Sequence, residues 1–207
     1  MSEIEFIIVV IGSYLIGSIP SGVLLGKIRG VDVRAYGSGK TGSTNVLRTL
    51  GTKAAAIALI ADVLKGVIAV LIAKYTLGSP VGEMAAGFAA IAGHDWSIFI
   101  RFQGGRGVAT SVGALFVMAP LVAAASLAIF ALIVAVTRYA SLGSLLGATS
   151  AVVIMAVLSA LDMAPVVYVI FTAVAVALII IQHRDNISRL LSGTESKVGQ
   201  KGEKRQN

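Results

Sequence analysis

The feature that most narrows what this chain can become is a succession of long apolar runs, at 4–26, 54–73, 84–100, 108–136, 142–161 and 165–182. Several approach the ~20 residues that cross a bilayer as a helix. Hydrocarbon offers no water to pair with free peptide groups, so such runs must satisfy their backbone internally. A soluble domain would have to bury nearly all of them. With 57% apolar residues, 13% charged residues and a mean hydropathy of +0.91, the chain lacks the polar surface for that. The sequence predicts an all-α, polytopic membrane bundle.

Glu3 and Glu5 stand where a secretory signal would carry basic residues, and no soluble stretch follows the first run, so the first helix is expected to remain as an anchor. The absence of cysteine excludes a disulfide framework, a thiolate nucleophile and a Cys-ligated metal.

Orientation rests on basic residues, which in short loops mark the cytoplasmic side. Six helices, one per run, would place Glu3 and the basic tail on one side and strand Arg138 opposite the loop that holds Lys27 to Lys53. As a single helix the run 108–136 would be about 43 Å long at ~1.5 Å per residue, well beyond a ~30 Å core. Pro120 lies inside it and can break it. Splitting there gives seven segments with the N-terminus outside and the C-terminus inside. Fifteen of the 17 basic residues then fall on the cytoplasmic side, while Glu3, Glu5, Glu83 and Asp162 fall outside. The fourth segment, 108–119, is only about 18 Å long and is expected to end within the membrane.

Three polar, glycine-rich segments then share the cytoplasmic face: GSGKTGSTNVLR from Gly37, RFQGGRGVAT from Arg101 and HRDNISRL from His183. In the first, Gly37, Gly39 and Gly42 alternate with Ser38, Thr41, Ser43 and Thr44 before a helical stretch at 45–50. Glycines let backbone N–H groups approach an anion, hydroxyls add donors, and a helix N-terminus adds partial positive charge. Phosphate suits such a loop; the plainer reading is a flexible loop with capping residues. Gly39-Lys40-Thr41 resembles the end of a nucleotide-binding P-loop, but Arg34 sits where the leading glycine belongs and no strand precedes it.

The second segment repeats the device, with Gly104, Gly105 and Gly107 around Arg106 leading into a helix at Val108. A glycine turn with a boundary arginine is the plainer account, and Arg101 fits a residue that snorkels to the headgroups. In the third, His183, Asn186 and Arg189 share a helix face that can grip a polar substrate or act as a stop-transfer cluster. Beyond Gly193 no apolar periodicity remains, so 194–207 reads as a basic, disordered tail after a single catalytic domain at 1–193. Asp62 and Lys65, three apart within an apolar run, form either a pair facing the site or a structural ion pair. His94 and Asp95 are adjacent, point about 100° apart and make no dyad, which leaves His94 as a core or interfacial residue. Gly22 with Gly26, and Gly143 with Gly147, have the spacing for close helix packing.

In order and combination, GSIP at 17–20, GSG-x-x-G-S-T-N at 37–45 with Arg48, Asp62 with Lys65 and Gly66, Gly93-His94, GG-x-GVAT at 104–110 and HR-x-NI-x-RLL-x-G-x-E at 183–195 are highly specific. Over nearly its whole length the chain resembles the integral-membrane acyl-phosphate:glycerol-3-phosphate acyltransferases of bacteria. Three positions depart from that family's usual pattern: Lys40 for Asn, Gln103 for Lys and Arg106 for Lys. Lys40 is expected to restore part of the charge lost at Gln103, and the planar fork of Arg106 changes contact geometry relative to an ammonium.

The resemblance implies transfer of a fatty acyl group from acyl phosphate to the 1-hydroxyl of sn-glycerol 3-phosphate, the first step of phospholipid synthesis, in the bacterial plasma membrane. It implies Ser38, Arg106, His183 and Asn186 as catalytic residues. Gly37, Gly39, Thr44, Asn45, Arg48, Lys65, Gly104, Gly105 and Gly107 are implied to bind substrate. Ser38, Gly39 and Arg106 would hold the donor phosphate, and Arg48, His183 and Asn186 the glycerol phosphate, with the acyl chain lying between helices. No cofactor, metal, nucleic acid or protein partner is implied. An organic-phosphate carrier is the strongest rival, but carriers place their sites near mid-membrane, often between repeated halves, and no repeat is visible here. The H-x4-D pattern of another acyltransferase class is absent: the residue five beyond His94 is Phe99, and five beyond His183 is Ser188.

Overall fold

The computed structural model describes residues 2–205, among which ten α-helices form. The first, α1 (Glu3–Ser18), opens with a capping box in which Ser2 Oγ accepts from the Glu5 N–H and the Glu5 carboxylate accepts from the Ser2 N–H. It breaks at Ile19-Pro20 and resumes as α2 (Ser21–Ile28). A short 3-10 turn (Val33–Ala35) and a glycine-rich loop lead to α3 (Ser43–Leu50), which Gly51 separates from the long α4 (Thr52–Leu77). Then follow α5 (Pro80–Asp95), α6 (Val108–Met118), α7 (Pro120–Thr137), α8 (Ala140–Ala160), α9 (Val166–Gln182) and α10 (Arg184–Leu191).

By length and composition, α1 taken with α2, α4, α7 and α8 can each cross a membrane, and α9 with α10 makes a fifth candidate bent by 63°. The 16-residue α5 and 11-residue α6 are shorter and packed inside the bundle. The break expected at Pro120 is present: α6 ends at Met118, and Pro120 opens α7, where its missing N–H costs nothing.

Because lipid tails are as apolar as leucine, close contact rather than water exclusion holds such helices together. Gly66 of α4 lies against the Thr110 carbonyl of α6, and Gly113 of α6 lies against the Val63 carbonyl of α4; a Cβ at either would overlap the partner backbone. Gly143 and Gly147 of α8 receive Phe130 of α7, as their spacing suggests. Gly22 and Gly26 instead pack against the backbone of Thr41 and Val31, seating the polar loop on α2. The main core, including Val70, Ile91, Leu115, Val122, Met155 and Phe171, lies among α4–α9, while many Ile and Leu side chains of α1 and α4 remain exposed.

Three differences from the sequence reading stand out. The run 84–100 is not one helix: α5 stops at Asp95, and the chain turns through a 3-10 segment (Ile98–Ile100) and two residues at positive φ, Arg101 (55°) and Phe102 (58°). This reversal delivers the chain to the second glycine segment. Glu83, placed on the outer side just before the run at 84–100, lies within α5, where it is buried and accepts a 2.8 Å hydrogen bond from the Tyr168 hydroxyl. Of the tail at 194–207, expected to be disordered, residues 206–207 lie outside the described residues, and 194–205 follow a defined course: Arg48 and Arg138 donate to the Ser196 and Val198 carbonyls, and the Gly37 N–H donates to the Glu203 carbonyl. Polar main-chain anchoring of this kind leaves no apolar period to detect.

Candidate active site

A cavity of about 550 Å³ lies among α3, α4, α6, α7, α8 and α9. Its lining combines residues of the three polar segments, Ser38, Lys40, Thr44, Arg106 and His183, and also Asp62 and His94, with apolar residues such as Leu59, Val112, Phe116, Phe130 and Val176. All three polar segments therefore meet on one cavity.

The first segment is shaped by Asn45, which is 2% exposed. Its Oδ1 accepts the Ser38 N–H (3.0 Å), and its Nδ2 donates to the carbonyls of Val33 (2.8 Å), Tyr36 (3.1 Å) and Lys40 (2.9 Å). The side chain touches the cavity, but its amide is committed to the loop, so Asn45 positions Ser38 rather than binding through its own amide. Gly37 (φ 54°) and Gly39 (φ 70°) take the left-handed conformations this tight fold requires. Neither lines the cavity, so their part is to shape the loop. Ser38 and Thr44 line the cavity, and α3 begins there, at Ser43, where the Ser43 and Thr44 N–H groups have no partner among the described residues.

The second segment is pressed onto the end of α5. The Gly105 N–H donates to the His94 carbonyl (3.0 Å), and the His94 ring fills the space a Cβ at Gly105 would need. Gly104 sits against the His94 and Asp95 carbonyls. Gly107, at φ 72°, starts α6, so a second helix N-terminus at Val108 and Ala109 faces the cavity. The two loops join where the Thr41 N–H donates to the Gly104 carbonyl (3.4 Å). Arg106 Nε donates to the Gln182 carbonyl (3.2 Å), which leaves its Nη groups without a protein partner among the described residues. Burial brings the Arg106 guanidinium down to about 10, still charged near neutrality.

In the third segment, His183 Nδ1 donates to the Ile179 carbonyl (2.8 Å), which makes Nε2 the acceptor. Burial first, then the Arg106 charge, pushes His183 down to about 4, so the ring is neutral at pH 7. Asn186 Nδ2 donates to Glu195 Oε1 (2.7 Å), while its Oδ1 is buried without a hydrogen-bond partner among the described residues. Glu195 also accepts from Ser141 Oγ (2.8 Å) and Arg189 Nε (2.7 Å). Burial alone would raise the Glu195 carboxyl; the bonds from Asn186, Arg189 and Ser141 hold it below the ordinary carboxylate range. Arg48 Nη2 donates to the Ser196 carbonyl (2.9 Å), so Arg48 and Asn186 are tied to the same stretch of tail.

Lys65 stands apart from the cavity wall. Its ammonium lies 2.6 Å from Asp62 Oδ1 and 3.1 Å from Ser21 Oγ, and Ser21 donates to the same carboxylate. His94 Nδ1 is 3.6 Å from that oxygen. Lys65 itself does not line the cavity, but it is bonded to Asp62, which does, as does His94. Glu195 and Gln182, neither of them singled out as a site residue by the sequence, are where the segments are knitted together. Glu195 was visible only as the last residue of the motif at 183–195.

The Glycerol-3-phosphate acyltransferase family profile matches residues 7–193. A protein of Thermoanaerobacter pseudethanolicus named "Glycerol-3-phosphate acyltransferase" is 49% identical over 192 residues, covering 92% of this chain and 94% of the relative. One of Clostridioides difficile with the same name is 43% identical over 209 residues, covering 98% and 100%. Among solved structures, the glycerol 3-phosphate form of PlsY (YgiH), an integral membrane glycerol 3-phosphate acyltransferase, superposes with a TM-score of 0.88 at 40% identity over 94% of this chain and 96% of that one. Its lysophosphatidic acid form gives 0.85 at 39% identity, over 93% and 94%.

Proposed function

The chain belongs to the glycerol-3-phosphate acyltransferase family and is an integral-membrane acyltransferase; we propose that it works at the cytoplasmic face of the bacterial plasma membrane and takes its acyl group from a fatty acyl phosphate. Seven membrane segments with the N-terminus outside give the orientation, supported by the placement of basic residues.

The observation that carries this reading is the cavity itself, where Ser38, Arg106 and His183 share a lining with a long apolar wall that includes Leu59, Val112, Phe116, Phe130 and Val176. An acyl phosphate has the same division, a dianionic head on a long apolar chain. Its head is received by Arg106, the Ser38 hydroxyl and the N–H groups opening α3 and α6; its chain lies along the apolar wall. Glycerol 3-phosphate is received by His183, which lines the same cavity, together with Arg48 and Asn186, which stand outside that lining and are joined through the tail at Glu195 and Ser196.

An acyl phosphate is an activated mixed anhydride, so aligning a hydroxyl against its carbonyl is most of what the protein must do. The 1-hydroxyl oxygen of glycerol 3-phosphate attacks the acyl carbon, forming the ester C–O bond and breaking the bond to the phosphate oxygen. The hydroxyl proton passes to a phosphate oxygen of the donor, which leaves as inorganic phosphate. His183 Nε2 and the unpartnered Asn186 Oδ1 act as acceptors that orient the glycerol hydroxyls. Glu195 holds Asn186 in place.

The test is release of phosphate and 1-acylglycerol 3-phosphate by purified protein in detergent given palmitoyl phosphate and glycerol 3-phosphate. Turnover with palmitoyl phosphate and none with palmitoyl-CoA is expected. Turnover with palmitoyl-CoA alone would overturn the donor assignment.

A further inference from the structure

The sequence reading treated Lys40 as a replacement for the charge missing at Gln103. The structure separates the two positions. Gln103 is exposed on the turn before the glycine loop, whereas Lys40 is half-buried and forms part of the cavity wall beside Ser38, Arg106 and His183. Its Nζ lies 3.3 Å from Gln182 Oε1, and the carbonyl of the same Gln182 receives Arg106 Nε at 3.2 Å. One residue at the end of α9 therefore holds an ammonium on its side chain and a guanidinium on its main chain. Neither cation has a carboxylate within ion-pair distance among the described residues. The charges that face Lys40 from further off are Arg106 and Asp95, at the ends of the glycine loop and α5, and Asp185 and Arg184 of α10.

Two unneutralised cations brought together in a half-buried site repel each other, and the partner that relieves them is an anion bearing more than one negative charge. Asn45 clamps the Lys40 carbonyl, so the backbone that carries this lysine is as fixed as that of Ser38. Asparagine, the usual family residue here, is uncharged and too short to span to Gln182. We propose that Lys40 is a further substrate-binding residue in this protein, forming with Arg106 a two-cation clamp on the phosphate of the acyl donor.

The proposal rests on the acyl-phosphate reading above, and the experiment separates the two. Wild type, Lys40→Asn, Lys40→Gln and Lys40→Arg are purified in detergent, and initial rates are measured against palmitoyl phosphate and glycerol 3-phosphate in turn, with inorganic phosphate as a competitor. Loss of one charge-assisted contact predicts about a tenfold rise in the KM for palmitoyl phosphate and in the Ki of inorganic phosphate against it for both Asn and Gln. kcat and the KM for glycerol 3-phosphate should stay within about twofold, and Lys40→Arg should restore most of the affinity. An unchanged palmitoyl phosphate KM in the uncharged variants overturns the clamp, as does a rise confined to the glycerol 3-phosphate KM. If only one uncharged variant folds, as judged by its elution and thermal unfolding, that variant decides the matter. Wild-type inactivity with palmitoyl phosphate would instead sink the donor assignment itself.

Discussion

Replacing Asn45 with Ala removes the side chain that shapes the Ser38 loop, and the structure sets the scale of the loss. The bond accepted from the Ser38 N–H disappears, and with it those that the two Nδ2 protons, one of them shared, make to the Val33, Tyr36 and Lys40 carbonyls. At about 1 kcal/mol net per bond, with part of the loss recovered by water entering the loop, the variant should be destabilised by roughly 3 kcal/mol. For a chain of this length that lowers Tm by roughly 6–12 °C. Because Ser38 and Lys40 sit on the freed backbone, kcat/KM should fall about 100-fold at a temperature where the variant remains folded, since misplacement by an ångström costs that much. Asn45→Asp should do similar damage: it keeps an acceptor for Ser38 but turns a carboxylate toward three carbonyl oxygens. Thermal unfolding in detergent and initial rates on the same preparation check both numbers. A Tm within 1–2 °C of wild type together with near-normal turnover would refute the view that Asn45 builds the site.

Gly105→Ala should cut turnover about 100-fold, because its Cβ would enter the His94 ring and lift Arg106 off the cavity; unchanged rates would show that the loop has room to yield. Glu195→Gln removes the charge that Asn186, Arg189 and Ser141 share, and should raise the KM for glycerol 3-phosphate about tenfold, with a smaller effect on the acyl donor. With His183 held near 4 against ~6.5 when unfolded, the native protein binds fewer protons than the unfolded chain between these values. Stability should therefore fall as pH drops through 6.5 toward 4, while kcat/KM stays flat from about 5.5 to 7.5; an acid limb centred on 6.5 that vanishes in His183→Gln would contradict the neutral-ring reading.

Much of this architecture is written locally. The apolar runs, Pro120 and the glycine spacing foretold helices, the break between α6 and α7, and three polar loops, because each depends on nearby residues. What stayed hidden depends on distant ones. Nothing near Asn45 says that its amide will close on Val33 and Tyr36, and the His94–Gly105 contact becomes apparent only once α5 and the glycine loop are superposed. The α5 terminus was misjudged because Ile98 and Phe99 are apolar enough to continue a helix, yet they sit exposed on the turn that follows it. The tail escaped notice because it is held by main-chain bonds to Arg48, Arg138 and Gly37, which leave no trace in hydropathy.

The central claim is that three stretches far apart in sequence form one site on the cytoplasmic side of the membrane, and the natural lack of cysteine makes it directly measurable. Single cysteines at the exposed positions Lys53, Gln103 and Arg184, at Tyr75 in the last turn of α4 and at Asp162 just after α8, can be treated with a membrane-impermeant maleimide in intact cells and in inverted membrane vesicles. The account predicts that the first three react only in inverted vesicles and the last two only in intact cells. Labelling of Gln103→Cys and Arg184→Cys from opposite sides would contradict it.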